Sequence, residues 1–147
     1  MDDKQEGQGT EVWTDGAHYT GAYNDGLKHG YGEFYWADNS VYKGEFVKNT
    51  IHGKGLYIWN DGRNYDGKWL DNKMHGKGVF KWPDGRIYSG EYIRDKKEGL
   101  GEFNWPSGKK YIGSWKDGKQ HGKGTYVDPI GNSREGEWST GKRVRWL

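Results

Sequence analysis

The sequence repeats itself every 23 residues, and this period constrains the fold more than any other feature. The recurring residues are Tyr19, Tyr42, Tyr65, Tyr88 and Tyr111, then Trp36, Trp59, Trp82 and Trp105, and Gly21, Gly44, Gly67, Gly90, Gly113 and Gly136. A fixed period of this length predicts a repeat architecture built from one small supersecondary unit per copy. We divide residues 1–147, as one array, into a half repeat (7–18), five full repeats (19–41, 42–64, 65–87, 88–110, 111–133) and a degenerate C-terminal cap (134–147).

Inside each repeat the side chains alternate with a period of two, which is typical of β-strands. Residues 65–69 place Tyr65, Gly67 and Trp69 on one face, and residues 78–82 do the same with glycine, phenylalanine and tryptophan. Dipeptides such as Asp61-Gly62 separate the repeats and favour tight hairpin turns. The sequence therefore predicts an all-β, single-layer antiparallel meander of tandem hairpins. With about 12 strands at about 4.8 Å spacing, the array is expected to be elongated.

Glycine has two predicted uses in each repeat. On the ring face it leaves room for an aromatic ring of the neighbouring strand to lie over bare backbone. The eighth position of the repeat is always Gly, Asn or Asp, residues that tolerate positive φ, so we expect a left-handed turn there. The residues at this position are Gly26, Asn49, Asn72, Asp95, Gly118 and Gly141.

The composition fits a core of rings. Aromatic residues number 24 (9 Trp, 11 Tyr and 4 Phe), the net charge is only +2, and there is no cysteine. Each ring can bury roughly 150–250 Å², which supplies the apolar area that the scarce aliphatic residues do not. The Met1–Lys4 stretch has no apolar leader segment and the longest apolar runs are too short to cross a bilayer. We expect a cytoplasmic protein, with the cytoskeleton, a cilium or a membrane periphery as narrower settings.

Residues 65–86, with their Tyr-Asp-Gly-Lys-Trp, Met-His-Gly-Lys-Gly and Trp-Pro-Asp-Gly-Arg segments, resemble the MORN (membrane occupation and recognition nexus) repeat. The resemblance extends from about Gly7 to Trp146 and is closest in style to protist arrays. It implies a twisted hairpin array used for scaffolding, as in junctional, radial-spoke and other cytoskeletal proteins. Three positions depart from the repeat pattern: Glu98 replaces the usual histidine in the fourth repeat, and Asp128 replaces the usual tryptophan in the fifth. In the last repeat Val144-Arg145 replaces the usual His-Gly, so we interpret this repeat as an end cap.

No catalytic, metal or cofactor site is predicted. The repeated histidines His29, His52, His75 and His121 would lie roughly 9–10 Å apart, too far to share a zinc ion whose Zn–N bonds measure about 2.0–2.1 Å. We expect each histidine to hydrogen-bond its own loop instead. The Gly53-Lys54-Gly55 segment lacks the helix that a phosphate loop requires. Glu45 and Glu91 should be solvated on the face opposite the rings, where no cleft for acid–base catalysis is expected.

The rings themselves leave an alternative open. Tryptophan and tyrosine on a sheet can stack on sugars, quaternary amines or single-stranded bases, and choline-binding hairpin repeats are similarly rich in tryptophan. The His-Gly-x-Gly turn and the charged outer positions favour the structural interpretation, in which the rings are the core. No nucleic-acid partner is expected.

The leading functional prediction is a non-enzymatic protein-interaction scaffold, cytoskeletal or ciliary in setting. The apolar outward residues Leu56, Ile58 and Val79 are the candidate partner site. A homodimer is predicted through the C-terminal end, whose apolar residues are Trp138, Val144, Trp146 and Leu147.

The alternative function is peripheral binding to anionic phospholipid, as a targeting segment of a larger enzyme such as a phosphatidylinositol phosphate kinase. Residues 65–147 carry 17 basic and 11 acidic side chains, a net charge of +6. The candidate lipid contacts are Lys109, Lys110, Lys142, Arg143 and Arg145.

Overall fold

The computed structural model describes residues 6–147, and every regular element in this range is a β-strand. The strands are β1 (Gly7–Val12), β2 (His18–Asn24), β3 (Leu27–Tyr35), β4 (Val41–Val47), β5 (Thr50–Ile58), β6 (Asn64–Leu70), β7 (Lys73–Lys81), β8 (Ile87–Ile93), β9 (Lys96–Asn104), β10 (Lys110–Lys116), β11 (Lys119–Val127), β12 (Ser133–Ser139) and β13 (Lys142–Trp146). They form one antiparallel sheet in chain order, which confirms the predicted all-β meander of hairpins. The strands number 13 rather than about 12, because the half repeat contributes one strand and the cap two. The Met1–Lys4 stretch lies outside the described residues.

The chain divides into two compact parts, Met1–Lys73 and Met74–Leu147, which we call the N-terminal half and the C-terminal half. Each half contains complete hairpins made of a seven-residue strand followed by a nine-residue strand. The two strands of a hairpin are joined along one side of the sheet, formed by strand ends, which we call the turn edge. Successive hairpins are joined at the opposite edge, called the loop edge.

The turns at the turn edge have left-handed backbone at two consecutive residues. The eighth position of the repeat has positive φ in all six cases, with φ 72° at Asn49 and 70° at Asp95, which confirms the prediction for that position. The residue before it is also left-handed, including Lys48 (φ 46°) and Arg94 (φ 47°), which the sequence did not indicate. Two consecutive positive φ angles define a type I′ turn, whose twist matches that of the flanking strands.

The connections at the loop edge are longer than the predicted two-residue turns. Between β5 and β6 the Gly62 N–H donates to the Trp59 carbonyl at 3.0 Å, and the Trp59 N–H donates to the Arg63 carbonyl at 2.9 Å. Gly62 is left-handed (φ 97°) but Asp61 is not. Instead, the Asp61 carboxylate accepts the Arg63 N–H at 3.0 Å, so aspartate acts as a cap while glycine alone supplies the positive φ.

One tyrosine per repeat forms the centre of the core. Tyr19, Tyr42, Tyr65 and Tyr88 are 0% exposed and Tyr111 is 1% exposed. The Tyr42 ring of β4 lies over Gly55 of β5, where an added Cβ would overlap the ring, and the ring reaches Trp69 of β6 edge-on at 5.8 Å. The glycine thus lets rings on either side of its strand meet, as predicted.

The C-terminal half repeats this arrangement. The Tyr88 ring of β8 covers Gly101 of β9 and meets Trp115 of β10 edge-on at a centroid distance of 5.4 Å. The Trp115 indole N–H donates to the Gly101 carbonyl at 3.2 Å. Edge-to-face pairs at this distance contribute about 0.5–1.5 kcal/mol beyond the area that they bury, so the rings both fill the core and orient one another.

Candidate interaction surfaces

Every full repeat whose hairpin pairing is described contains a bulge of two extra residues in its long strand. In the β4–β5 hairpin Gly44 pairs with Gly55 and Phe46 with Ile51, so residues 52–54 lie opposite Glu45 alone. Gly53 in this bulge has φ 84°. The bulge interrupts the ladder at the carbonyl of Glu45 and at the N–H of Lys54.

Side chains satisfy both of these backbone groups. The Tyr42 hydroxyl donates to the Glu45 carbonyl at 2.9 Å, and the Glu45 carboxylate accepts the Lys54 N–H at 2.6 Å. In the C-terminal half Glu91 accepts the Leu100 N–H at 3.1 Å in the same way. Glu45 is exposed, as predicted, but Glu91 is half-buried. The prediction that both carboxylates are solvated is therefore confirmed for Glu45 and holds only in part for Glu91, and the bulge gives each a backbone donor that the prediction did not include.

The outer face of the C-terminal half contains an open groove of about 770 Å³. Its floor is the backbone of four glycines that pair in succession from β7 to β10: Gly78, Gly90, Gly101 and Gly113. Its apolar walls are Val79, Leu100 and Ile112, and its polar rim is Lys77, Ser89, Glu91 and Glu102. We call this feature the outer groove.

Two apolar side chains of the outer groove are exposed to solvent. Leu100 is 67% exposed and Ile112 is 43% exposed, while Val79 is half-buried. Sequence analysis identified Val79 but missed Leu100 and Ile112. Comparison of equivalent repeat positions provides the missing signal: Leu100 occurs where three other repeats have Lys54, Lys77 and Lys123.

The predicted partner residues Leu56 and Ile58 lie in β5 of the N-terminal half. Leu56 is half-buried between Lys43 of β4 and Asp66 of β6, and Ile58 is half-buried between Val41 and Asn64. Val79 lies in β7 of the C-terminal half. The three residues are therefore divided between the halves, and of the three only Val79 lines the outer groove.

The predicted dimer residues at the C-terminal end differ in accessibility. Trp138 is 8% exposed and its ring meets Tyr111 at 4.9 Å, so it belongs to the core of its own chain. Val144 and Leu147 are exposed, and Trp146 is half-buried. Val144 is the single extra residue of a bulge between β12 and β13. The cap has only this one-residue bulge because Arg145 replaces the left-handed glycine of the other repeats.

The five basic residues predicted to contact lipid lie at separate places. Lys109 and Lys110 are at the loop edge, where the Lys109 ammonium lies 4.4 Å from the Trp105 ring centroid. Lys142 begins β13 at the turn edge, Arg143 stacks on Trp146 at 4.4 Å, and Arg145 pairs with Glu137 at 3.2 Å. A strand of this length spans about 20 Å, so the structure does not bring the five together.

Two of the repeated histidines, His29 and His121, bind the turn of the following hairpin rather than their own loop, so the prediction is wrong for these two. Among the described residues, His75 Nδ1 is buried and has no hydrogen-bond partner. The Lys48 N–H donates to His29 Nδ1 at 3.4 Å, and the Thr140 N–H donates to His121 Nδ1 at 3.4 Å. Glu98 does the same for the Asp117 N–H at 2.8 Å, which explains why glutamate can replace histidine there. Within residues 6–147 no three His, Asp or Glu side chains are grouped so as to hold a metal ion.

Burial perturbs the ionisation of the core tyrosines. It raises the pKa of Tyr19 to about 12 and that of Tyr111 to about 12. The pKa of Tyr23 is raised by burial and by its 2.8 Å hydrogen bond to the Glu11 carboxylate. The hydroxyls of Tyr19 and Tyr111 therefore stay protonated and donate to backbone carbonyls at neutral pH.

The described residues include no helix with the length and hydrophobicity needed to cross a membrane. The fold is similar to that of two solved domains. The TCP10 domain of Danio rerio CPAP, in complex with a peptide of STIL, has a TM-score of 0.56 and 13% identity, over 97% of this chain and 64% of that chain. The SAS-4 (dCPAP) TCP domain of Drosophila melanogaster, in complex with a proline-rich motif of Ana2, has a TM-score of 0.56 and 12% identity. The match covers 88% of this chain and 70% of that chain. The chain thus spans about two thirds of each domain.

No curated protein matches the sequence at a significant level. A family model does match it, in consecutive segments that together cover most of the chain. The family is described as the MORN repeat, and the matched segments are residues 1–18, 19–41, 42–62, 65–85, 88–110 and 111–133. The full repeats start at the buried tyrosines that organise the ring face. The chain therefore belongs to the MORN repeat family.

Proposed function

We propose that the chain is a protein-interaction module that holds an extended segment of a partner protein in the outer groove. The observation that carries this proposal is the groove itself, with exposed Leu100 and Ile112 above a floor of paired glycines. A cluster of apolar side chains on an otherwise polar face is a candidate site for a partner. The four strands beneath the groove span about 15 Å, the length of four or five extended residues.

The strands of the groove floor already pair with each other, so the partner does not add a further strand. It binds through its side chains, with apolar groups against Val79, Leu100 and Ile112. The rim carries Glu91 and Glu102 but one lysine, Lys77, so its charge is net negative. We therefore expect an apolar partner segment that also carries a basic residue.

The two similar TCP domains support this proposal, since each was solved with a peptide of another protein. MORN arrays serve as scaffolds in cytoskeletal proteins, and this supports a cytoskeletal or ciliary setting and a non-catalytic role for the chain. Homodimerisation through Val144, Trp146 and Leu147 and weak binding to anionic lipid stay predictions. The separation of the five basic residues makes lipid the weaker alternative, because screened charges about 20 Å apart do not act together.

The experiment is a selection of peptides from a random display library on the whole chain, followed by affinity measurement. We expect the selected peptides to combine apolar and basic residues. Leu100→Lys, which installs the residue of three other repeats, should weaken binding at least about tenfold. Leu56→Glu is the control, since Glu33 and Glu102 occupy the same repeat position. Equal affinity of wild type and Leu100→Lys for every selected peptide would contradict the proposal.

A further inference from the structure

A lysine lies among the rings of the C-terminal half. The Lys97 ammonium, on the ring face of β9, is 5.4 Å from the Tyr88 ring centroid and 5.5–6.0 Å from those of Trp82, Trp115 and Phe103. No ion pair within the described part of the chain includes it. Burial lowers the pKa of Lys97, and the nearby positive charge of Arg86 lowers it further. Aromatic faces attract the ammonium but offer no hydrogen-bond acceptor comparable to an anion.

The fold does not require a cation at this position. Equivalent residues in the two preceding repeats are Ile51 and Met74, and both are buried. An apolar side chain therefore fills the same space between the same kinds of rings. Lysine here replaces an apolar core residue with a charge that lacks an anionic partner, which is costly for folding. The first repeat also has a lysine at this position, Lys28, so it is a second cation beside Lys97 that distinguishes the C-terminal half.

A second cation lies beside the same tryptophan. The Arg86 guanidinium is 5.1 Å from the Trp82 ring centroid, and its Nε donates to Asp84 at 2.7 Å. That bond leaves the terminal amino groups of Arg86 for another acceptor. Lys97 and Trp82 are half-buried, and the Arg86 side chain is 40% exposed, so solvent reaches the cluster.

We propose that Lys97 and Arg86, beside Trp82, form an oxyanion-binding site on the ring face of the C-terminal half. The ligand is a carboxylate or a phosphate group carried by a partner molecule. It would accept hydrogen bonds from Lys97 Nζ and from the terminal amino groups of Arg86, and it would offset the repulsion between the two cations. The site lies on the face opposite the outer groove and is independent of the proposed function.

The N-terminal half provides an internal control. Lys28 occupies the same repeat position, and its ammonium is 5.3 Å from Trp13, 5.5 Å from Tyr19 and 5.6 Å from Phe34. Ala17 stands where Arg86 stands in the C-terminal half, so Lys28 has no arginine beside its tryptophan at that position. An anion that requires both cations will distinguish the two lysines within one molecule.

The experiment is a nuclear magnetic resonance titration of the whole chain with phosphate, with acetate and with chloride at constant ionic strength. Ring currents shift the Lys97 methylene signals away from those of exposed lysines, which makes them a specific probe. We expect saturable shifts at Lys97 with phosphate or acetate, and none at Lys28. Stronger binding of phosphate would identify a phosphorylated ligand, and stronger binding of acetate a carboxylate ligand. Equal, unsaturable shifts at both lysines would overturn the proposal.

Two variants separate binding from folding. Lys97→Met, which installs the residue of Met74, should abolish the saturable response of the neighbouring Trp82 signals and raise the melting temperature. Arg86→Ser, which installs the residue of Ser40, should weaken anion binding about tenfold. Leu100→Lys, in the outer groove, should leave it unchanged. A lower melting temperature for Lys97→Met, or anion binding that survives it, would assign Lys97 a structural role and overturn the proposal.

Discussion

The ring face and the outer face of the sheet differ in how closely one repeat copies the next. On the ring face the same tyrosine recurs in five repeats with 0–1% exposure, and its hydroxyl donates to the carbonyl three residues later in each. On the outer face equivalent positions change freely, as from Lys77 to Leu100 and from Ser89 to Ile112. The ring face therefore holds the recurring buried contacts of the core, whereas the outer face, where we propose that a partner binds, has no comparable constraint on its residues.

Alkaline pH should unfold the protein, because the buried tyrosines of the ring face ionise. The folded pKa of Tyr19 and of Tyr111 is about 12, above the ordinary value of 10.0. Their contribution to stability is therefore fully present below pH 10 and is lost as the pH rises through about 12. Phenolate absorbance and circular dichroism should report one shared transition. Tyrosine ionisation near pH 10 with an intact sheet signal would contradict the buried ring core.

Gly55→Val should destabilise the protein more than any substitution in the turns or on the outer face. A Cβ at Gly55 overlaps the Oη, Cε1 and Cζ atoms of Tyr42, which is 0% exposed and has no room to move. Overpacking of this kind costs about 1–3 kcal/mol, and valine at a slot for a ring belongs at the upper end. The matched control is Lys54→Val, one residue earlier on the exposed outer face. Thermal unfolding of the two variants compares the faces directly, and similar melting temperatures would refute the difference.

Substitutions at Asn49 should lower the free energy of unfolding by amounts between those of Gly55→Val and Leu100→Lys. Asn49 is left-handed (φ 72°), and its Oδ1 accepts the Lys28 N–H at 2.8 Å. Asn49→Gly keeps the turn, as Gly26 shows, but loses this hydrogen bond at a cost of about 1 kcal/mol. Asn49→Val also strains the left-handed backbone, so we expect about 2–3 kcal/mol. Equal free energies of unfolding for the two variants would show that backbone strain plays no part.

Leu100→Lys should have the smallest effect on folding. Leu100 is 67% exposed, and lysine occupies the equivalent position in three other repeats. We expect the free energy of unfolding to change by less than about 0.5 kcal/mol, even though peptide binding should weaken at least about tenfold. A larger loss of stability, measured by denaturant titration, would mean that the outer groove belongs to the core.

Period and alternation were sufficient to predict the strands, the ring face and the left-handed turn position, because these depend on residues close together in the chain. The bulges could not be predicted in this way. Two extra residues, as at 52–54 opposite Glu45, preserve the alternation of inward and outward side chains. An insertion of one residue would have moved every following side chain to the other face, which would be visible in the sequence as a shift in the alternation of apolar and polar residues.

The outer groove and the histidine contacts depend on the register between strands, which the sequence pattern does not specify. Val79 was identified because it is apolar and outward, whereas Leu100 was hidden inside a segment whose Glu98-Gly99 pair replaces the usual His-Gly. His29 was expected to bind its own loop because the two are close in sequence. Its partner Lys48 is 19 residues away and is brought near only by pairing of β3 with β4.

The chain-order pairing of the strands has a consequence for how the protein folds. Within each half every strand pairs with its neighbours in the chain, so no contact in the ladder waits for a distant segment to arrive. Closing only short loops carries a small entropic cost and favours fast folding for a protein made entirely of strands. A nascent chain can therefore fold hairpin by hairpin as it leaves the ribosome, because the strands and rings of each folded hairpin are already in place for the next hairpin to pack against.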